Sequence, residues 1–231
     1  MSDVREYRQL PYSPPPGALD LLLVRHGASA PYTPGLSFAL VDGQGDPDLA
    51  PEGHRQAERV AARLAGMAID AVYVTSLRRT AQTAEPLVRL TGHVPVVEPG
   101  LREIMLGEWE GGLFRERIAE GHPIAVRMVS EQRWGVIPGA EGDEEFGARV
   151  RNAIVKLAAT HPGQRVVAFT HGGVIGQVLH QASGSNPFAF SAADNGSISQ
   201  LVVHDDRWIV RRFNDTAHLA DGLSTAETPP T

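Results

Sequence analysis

The 231-residue sequence contains no cysteine. That single absence removes disulfide staples, thiolate metal ligands and a cysteine nucleophile, and it fits a cytoplasmic protein. No apolar run approaches the ~18 residues of a membrane span, so no membrane partner is expected. The opening stretch MSDVREYRQLPYSPPPG carries acidic residues early and no apolar core, and does not read as a secretory signal. Basic excess is missing too: Lys and Arg number 21 against 27 Asp and Glu, a net charge of −6 at pH 7. This argues against nucleic acid as a partner and requires any anion-binding site to be local. Neither H-x-H nor H-E-x-x-H occurs, so no metal site is expected, and the missing G-x-S-x-G sets aside a serine hydrolase. The run DGQGDPD has calcium-like acid spacing but lacks the required Gly and closing Glu, and reads as a polar lid loop.

What is present suits a globular domain: 42% of residues are hydrophobic and 21% charged. Residues 1–17 end in Pro14-Pro15-Pro16-Gly17 and read as an extended arm, and residues 221–231 read as a disordered tail. Between them, in a domain of residues 18–220, short apolar runs alternate with helical periodicity. The runs are LLLV (21–24), AVYV (71–74), VPVV (94–97), VVAF (166–169), SQLVVH (199–204) and RWIVRRF (207–213). Apolar residues at helical spacing include Ala57, Val60, Ala61 and Leu64, and later Phe146, Val150, Ala153, Ile154 and Leu157. The alternation predicts an α/β domain with a mostly parallel sheet, one edge of which is antiparallel because Asp205-Asp206 joins the last two strands as a hairpin. Segments 28–50 and 106–142, rich in Gly and Pro, read as lids or insertions.

Three of the strand-like runs end alike. LLLV leads into Arg25-His26-Gly27, AVYV into Thr75-Ser76-Leu77-Arg78-Arg79, and VVAF into Thr170-His171-Gly172-Gly173. Ligands of an open parallel sheet bind beyond the carboxyl ends of its strands. One such ending is more often a turn with a solvated charge; three at one topological position predict a cationic pocket. Guanidinium forks suit a phosphoryl group. Gly172 and Gly173 open a helix whose first N–H groups attract anions. A neutral imidazole can accept the phosphoryl group, and neighbouring arginines keep it neutral. A proton donor for the leaving oxygen is sought in LREIMLGEWEGG, among Glu103, Glu108 and Glu110.

The ordered set RHG, SLRRTAQTA, LREIMLGEWEG and THGG resembles the histidine phosphatase superfamily, which includes the cofactor-dependent phosphoglycerate mutases, from about Leu21 to Ser197. The resemblance implies a three-layer α/β/α sandwich on a six-stranded sheet. It implies His26 as the nucleophile that becomes phosphohistidine, Arg25 and Arg79 as phosphate ligands, His171 as a donor to the phosphoryl oxygens and Glu103 as the general acid. Ser29 and Gly172 complete the expected phosphate contacts. Arg78, Arg102, Arg115, Arg117 and Arg127 are expected to be solvated, and Glu108 and Glu110 to be structural or at the rim. The segment DPDLAPEGHRQA resembles the family's entry to the first long helix, with Ala50 where a capping Thr is usual. DNGSIS resembles a structural segment before the fifth strand. The sequence departs from the family at Ala28 and at Tyr32, which stands where an Asn is usual, and this leaves the substrate open.

The expected activity is hydrolysis of a small phosphorylated metabolite, with no cofactor and no metal. The alternative is a mutase dependent on 2,3-bisphosphoglycerate. The acidic, tryptophan-containing LGEWEGG favours the phosphatase branch over it. A non-catalytic phosphate sensor predicts the loss of His26, Glu103 or His171, and all three are present. A homodimer is one assembly open to the chain, whose composition carries no sign of its state.

Overall fold

Leu19–Arg25 forms strand β1, and all of its apolar side chains are buried although they point alternately to opposite faces. A strand of this kind needs a layer on each side. The computed structural model, which describes residues 7–219, supplies both layers. Part of the expected arm, residues 1–6, and the expected tail, 221–231, lie outside the described residues. In chain order β1 is followed by the hairpin β2 (Leu40–Val41) and β3 (Gln44–Gly45), then α1 (Pro51–Leu64), β4 (Ala71–Val74), α2 (Arg78–Thr91) and β5 (Val96–Val97). Next come α3 (Leu113–Ala119), α4 (Pro123–Glu131), α5 (Asp143–Thr160), β6 (Arg165–Thr170), α6 (Gly172–Ser183), β7 (Ile198–His204) and β8 (Arg207–Asp215).

The main sheet has the order β5-β4-β6-β1-β7-β8. β5, β4, β6 and β1 pair in parallel, β7 runs against β1, and β8 returns against β7. This is the expected six-stranded, mostly parallel sheet, with its antiparallel edge made by the final hairpin. Asp205 takes φ 54° in the hairpin turn, a left-handed conformation that Asp tolerates better than most residues. The VPVV run yields only Val96–Val97 as strand, consistent with Pro95 having no N–H to give to a ladder.

Alternation along the strands divides the core in two. Leu19, Leu21, Leu23, Val166 and Ala168 pack with Phe146, Val150, Ile154 and Leu157 of α5 and Val174, Val178 and Leu179 of α6. Leu22, Val24, Val72, Val74, Val167 and Phe169 pack on the other face with Val60 and Leu64 of α1 and Leu87 of α2. Each such buried side chain contributes about 1.5–3 kcal/mol, so this double layer fixes the sheet and the positions of its strand ends.

The two irregular segments are more ordered than their composition implied. Segment 28–50 contains the hairpin β2–β3, and segment 106–142 contains α3 and α4 around a small core of its own: Trp109, Ala125, Met128 and Ile137. Trp109 meets Phe114 at 6.2 Å and His122 at 5.4 Å between ring centroids. Their apolar residues serve this local cluster rather than the main sheet, which weakens their periodicity.

α1 starts at Pro51 behind Ala50, which is extended at φ −71° and ψ 163° and offers no side-chain cap. The geometry is that of an N-cap lacking only an oxygen. Ala50→Ser should therefore stabilise the protein by about 0.5–1 kcal/mol. The check is a higher urea midpoint with an unchanged denaturant slope.

Candidate active site

In the pairing of β1 with β6, Arg25 stands opposite Thr170. The next residue of each strand is a histidine, and the His26 amide donates to Thr170 O at 3.0 Å. The rings of His26 and His171 consequently lie 5.2 Å apart at an interplanar angle of 62°. β4 brings Thr75 to the same edge, where its hydroxyl lies 3.0 Å from His171 Nε2.

His26 is buried and bonds through Nδ1 to Gly27 O at 2.8 Å. A carbonyl only accepts, so Nδ1 carries the hydrogen and Nε2 of the neutral ring keeps its lone pair. Asn195 Nδ2 holds the His26 carbonyl at 2.9 Å, and the Gly27 amide donates to Thr83 Oγ1 at 3.0 Å. A side chain at position 27 would place its Cβ 2.5 Å from Gly53 O, at the start of α1, so only glycine fits.

Arg25 donates through Nη1 to Ala193 O and leaves its buried Nε without a partner. Arg79, 8% exposed, donates through Nη1 to Gly45 O at 2.9 Å. Burial lowers the pKa of both arginines, that of Arg79 to about 10, which leaves each charged at neutral pH. The Glu103 carboxylate is the foremost charge that counters this lowering in both. Its Oε1 accepts from the Ile104 amide at 3.0 Å and its Oε2 from the Gly173 amide at 3.1 Å. A Cβ on residue 173 would come within 2.4 Å of Oε1, so the glycine that opens α6 makes room for the acid.

Burial, then the charges of Arg79 and Arg25, hold the His26 pKa well below its usual value. His171 is depressed in the same direction, by burial first and then by Arg79, with His26 and Arg25 adding to it. Both rings are neutral at pH 7, as a nucleophile requires. Among the described residues no three His, Asp or Glu side chains gather as a metal site.

The structure thus brings Arg25, His26, Arg79, Glu103 and His171 to one end of the sheet. Gly172 packs against Arg25, its own Cβ position lying 3.3 Å from Nε. Ser29 is engaged differently from expectation, its hydroxyl accepting from Arg115 Nη2 at 2.7 Å. Tyr32 turns its ring edge-on to Phe38 at 6.0 Å and abuts Gly112. Glu110 is structural, accepting from the Gly45 amide at 2.8 Å and the Leu106 amide at 2.7 Å, while Glu108 is exposed.

The arginines correct the sequence reading. Arg102, expected in solvent, is 14% exposed in its side chain and ties Asp42 at 3.0 Å and Val41 O at 2.8 Å, anchoring the β2–β3 hairpin. Arg115 is half-buried, bonds Ser29 and also Ala30 O at 2.7 Å, and lies 5.4 Å over Phe38. Arg78 is half-exposed but clasped by Asp46 at 2.8 Å. Arg117 and Arg127 do pair at the surface, with Glu120 and Glu131. Gln44 was missed altogether, although its Nε2 clamps Glu103 O at 2.7 Å and Ile104 O at 3.2 Å. Nothing local marks a glutamine in a Gly-rich loop. Thr75 was more legible, because it follows its strand as His26 and His171 follow theirs.

The sequence profile of the histidine phosphatase superfamily, branch 1, matches residues 21–216. A metal-independent phosphoserine phosphatase of Arabidopsis thaliana is 31% identical over 87% of this chain and 83% of its own length. A probable phosphoglycerate mutase of Yersinia enterocolitica is 29% identical over 87% and 95%. Among solved structures, a mycobacterial glucosyl-3-phosphoglycerate phosphatase superposes with a TM-score of 0.72 at 28% identity, over 86% of this chain and all of that one.

The two depressed histidines set a pH dependence of stability. Above their ordinary value of about 6.5 both folded and unfolded rings are neutral. As the pH falls below it, the unfolded chain takes up two protons that the fold refuses, so stability is lost on acidification by up to ~1.4 kcal/mol per pH unit per ring. Urea midpoints measured from pH 7 to 5 should fall, and should fall less steeply in the His26→Gln/His171→Gln double variant. An unchanged slope would place the titrating groups elsewhere.

Proposed function

The chain belongs to branch 1 of the histidine phosphatase superfamily and is a phosphomonoesterase of that family, and from that premise we propose that it works through a phosphohistidine on His26. The observation that carries this reading is the bond from Nδ1 to Gly27 O, which leaves Nε2 as an unprotonated nucleophile between two buried arginines. Nε2 attacks phosphorus in line and the ester P–O bond breaks. A proton that the bound ester's monoanion lends to Glu103 passes to the departing oxygen, and the Glu103 carboxylate then takes one from the water that cleaves the P–N bond. Arg25, Arg79, His171 and the first amide of α6 at Gly172 hold the phosphoryl oxygens as charge builds on them. Ser29 keeps its own hydroxyl hydrogen for the same purpose. In this reading residues 18–220 form the catalytic domain, segments 28–50 and 106–142 wall the pocket, and the enzyme works in the cytoplasm.

Arg115 narrows the substrate. Burial lowers its pKa with no carboxylate compensating, and its charge bears on Arg25, His26 and Arg79. A half-buried cation without a counter-ion among the described residues is suited to an anion brought by the substrate. The substrate is accordingly a small phosphate ester with a second anionic group, as phosphoserine is. The mutase reading is supported by the likeness to several probable phosphoglycerate mutases, the Yersinia protein among them.

Incubated without metal, the enzyme should hydrolyse phosphoserine and p-nitrophenyl phosphate and form an acid-labile, alkali-stable phosphoenzyme that His26→Ala lacks. Undiminished labelling of that variant would remove His26 from the role. Conversion of 3-phosphoglycerate to its 2-isomer, dependent on 2,3-bisphosphoglycerate and outpacing hydrolysis, would favour the mutase instead.

Arg115→Met should raise KM for phosphorylated carboxylates by about 10–100-fold, the worth of a charge-assisted contact. For p-nitrophenyl phosphate the rise should stay within about threefold. Equal losses on both would put Arg115 on the phosphoryl group itself.

A further inference from the structure

His171 is fully buried, and only one of its two ring nitrogens is engaged by the protein. Nε2 meets the Thr75 hydroxyl at 3.0 Å, while Nδ1 has no hydrogen-bond partner among the described residues. If His171 donates to a phosphoryl oxygen, it must do so from Nδ1. A neutral imidazole has a single N–H, so that hydrogen must then be absent from Nε2. Nε2 in turn needs a donor.

Thr75 is the group that can donate. It is 2% exposed, and its hydroxyl hydrogen has two acceptors in reach, His171 Nε2 at 3.0 Å and Thr80 Oγ1 at 3.1 Å. Thr80 Oγ1 already accepts from the Thr75 amide at 3.0 Å and sends its own hydrogen to Leu77 O at 2.8 Å. It is already engaged as donor and as acceptor, and does not depend on the Thr75 hydroxyl. The Leu77 amide occupies one lone pair of Thr75 Oγ1 at 3.3 Å, which helps to fix the direction of the remaining hydrogen. The doubly protonated ring, which would donate from both nitrogens, is disfavoured by the same burial and arginine charge that act on His26.

We infer that Thr75 is a positioning residue that holds His171 in the Nδ1–H tautomer, by donating its hydroxyl hydrogen to Nε2 when a phosphoryl group is bound. With the site empty, the same hydroxyl can turn to Thr80 and the ring can carry its hydrogen on Nε2. Phosphoryl binding and the rotation of one buried hydroxyl are then coupled. The inference rests on the phosphohistidine reading, because it takes a phosphoryl oxygen as the acceptor.

The direct test is nitrogen-15 NMR of the histidine rings in the wild-type enzyme with orthovanadate bound. The expected result is a protonated Nδ1 and a bare Nε2 on His171. The opposite tautomer, with vanadate demonstrably bound, would overturn the role of Thr75. Failure to bind vanadate would instead count against the phosphatase site as a whole. In parallel, Thr75→Val should lower kcat by about a hundredfold or more, the effect of losing one preorganised donor, with KM changed little. Thr75→Ser, which restores only the hydroxyl, should recover kcat to within about threefold of wild type under the same reasoning. Equal damage from both variants would mean that packing alone explains position 75.

Discussion

Everything at the catalytic end of this protein depends on the register of two parallel strands. Because Arg25 lies opposite Thr170, the residues that follow are level, and two histidines face one another without any loop having to place them. The layers on either face, with α1 and α2 on one side and α5 and α6 on the other, leave the strands no freedom to slip. A slip of one residue would send Leu21 and Leu23 to the face that Leu22 and Val24 now fill. The proposed chemistry is therefore tied to strands held by both core layers.

That placement has an electrostatic cost and uses it. Two arginines are taken out of water beside two imidazoles, with Glu103 as the foremost charge that offsets them. The positive field does nothing to stabilise the empty site, but it keeps both rings neutral and prepares the site for a group carrying negative charge. Dry surroundings strengthen such attraction, and the donors are already oriented when charge develops. Glu103 is itself anchored by backbone amides, with Gln44 and Arg149 gripping its main chain. A mobile carboxylate could drift to either guanidinium and form an ion pair; this one is held.

The sequence was most legible where local pattern and topology agree. The unbroken apolar runs LLLV and VVAF marked strands covered on both faces, and the residues after those strands fell together because parallel pairing brings their ends level. Glu103 was set apart from Glu108 and Glu110 only through resemblance, since its placement comes from contacts with Gly173 and Gln44, far away in the chain. Arg115 read as solvated because periodicity cannot tell a helix face turned to water from one turned to a cleft, and Arg102 because it lies in an extended segment whose partners, Asp42 and Val41, are 60 and 61 residues away. The hairpin at 40–45 was invisible for a related reason: its two-residue strands depend on Arg102 and Glu110 from elsewhere. Short irregular segments borrow their order, and the lender is not written beside them.

The contact between Gly27 and Gly53 has one more consequence. A single added carbon at either residue collides with backbone of the other segment, so the loop after β1 and the first turn of α1 are wedged together with no slack. The catalytic floor can drift very little as the gene diverges. The small tryptophan-centred core of segment 106–142 draws on neither of these two glycines. In the proposed reading, where segment 106–142 walls the pocket, the scaffold thus pairs a floor that admits no added atom with a wall that has a core of its own.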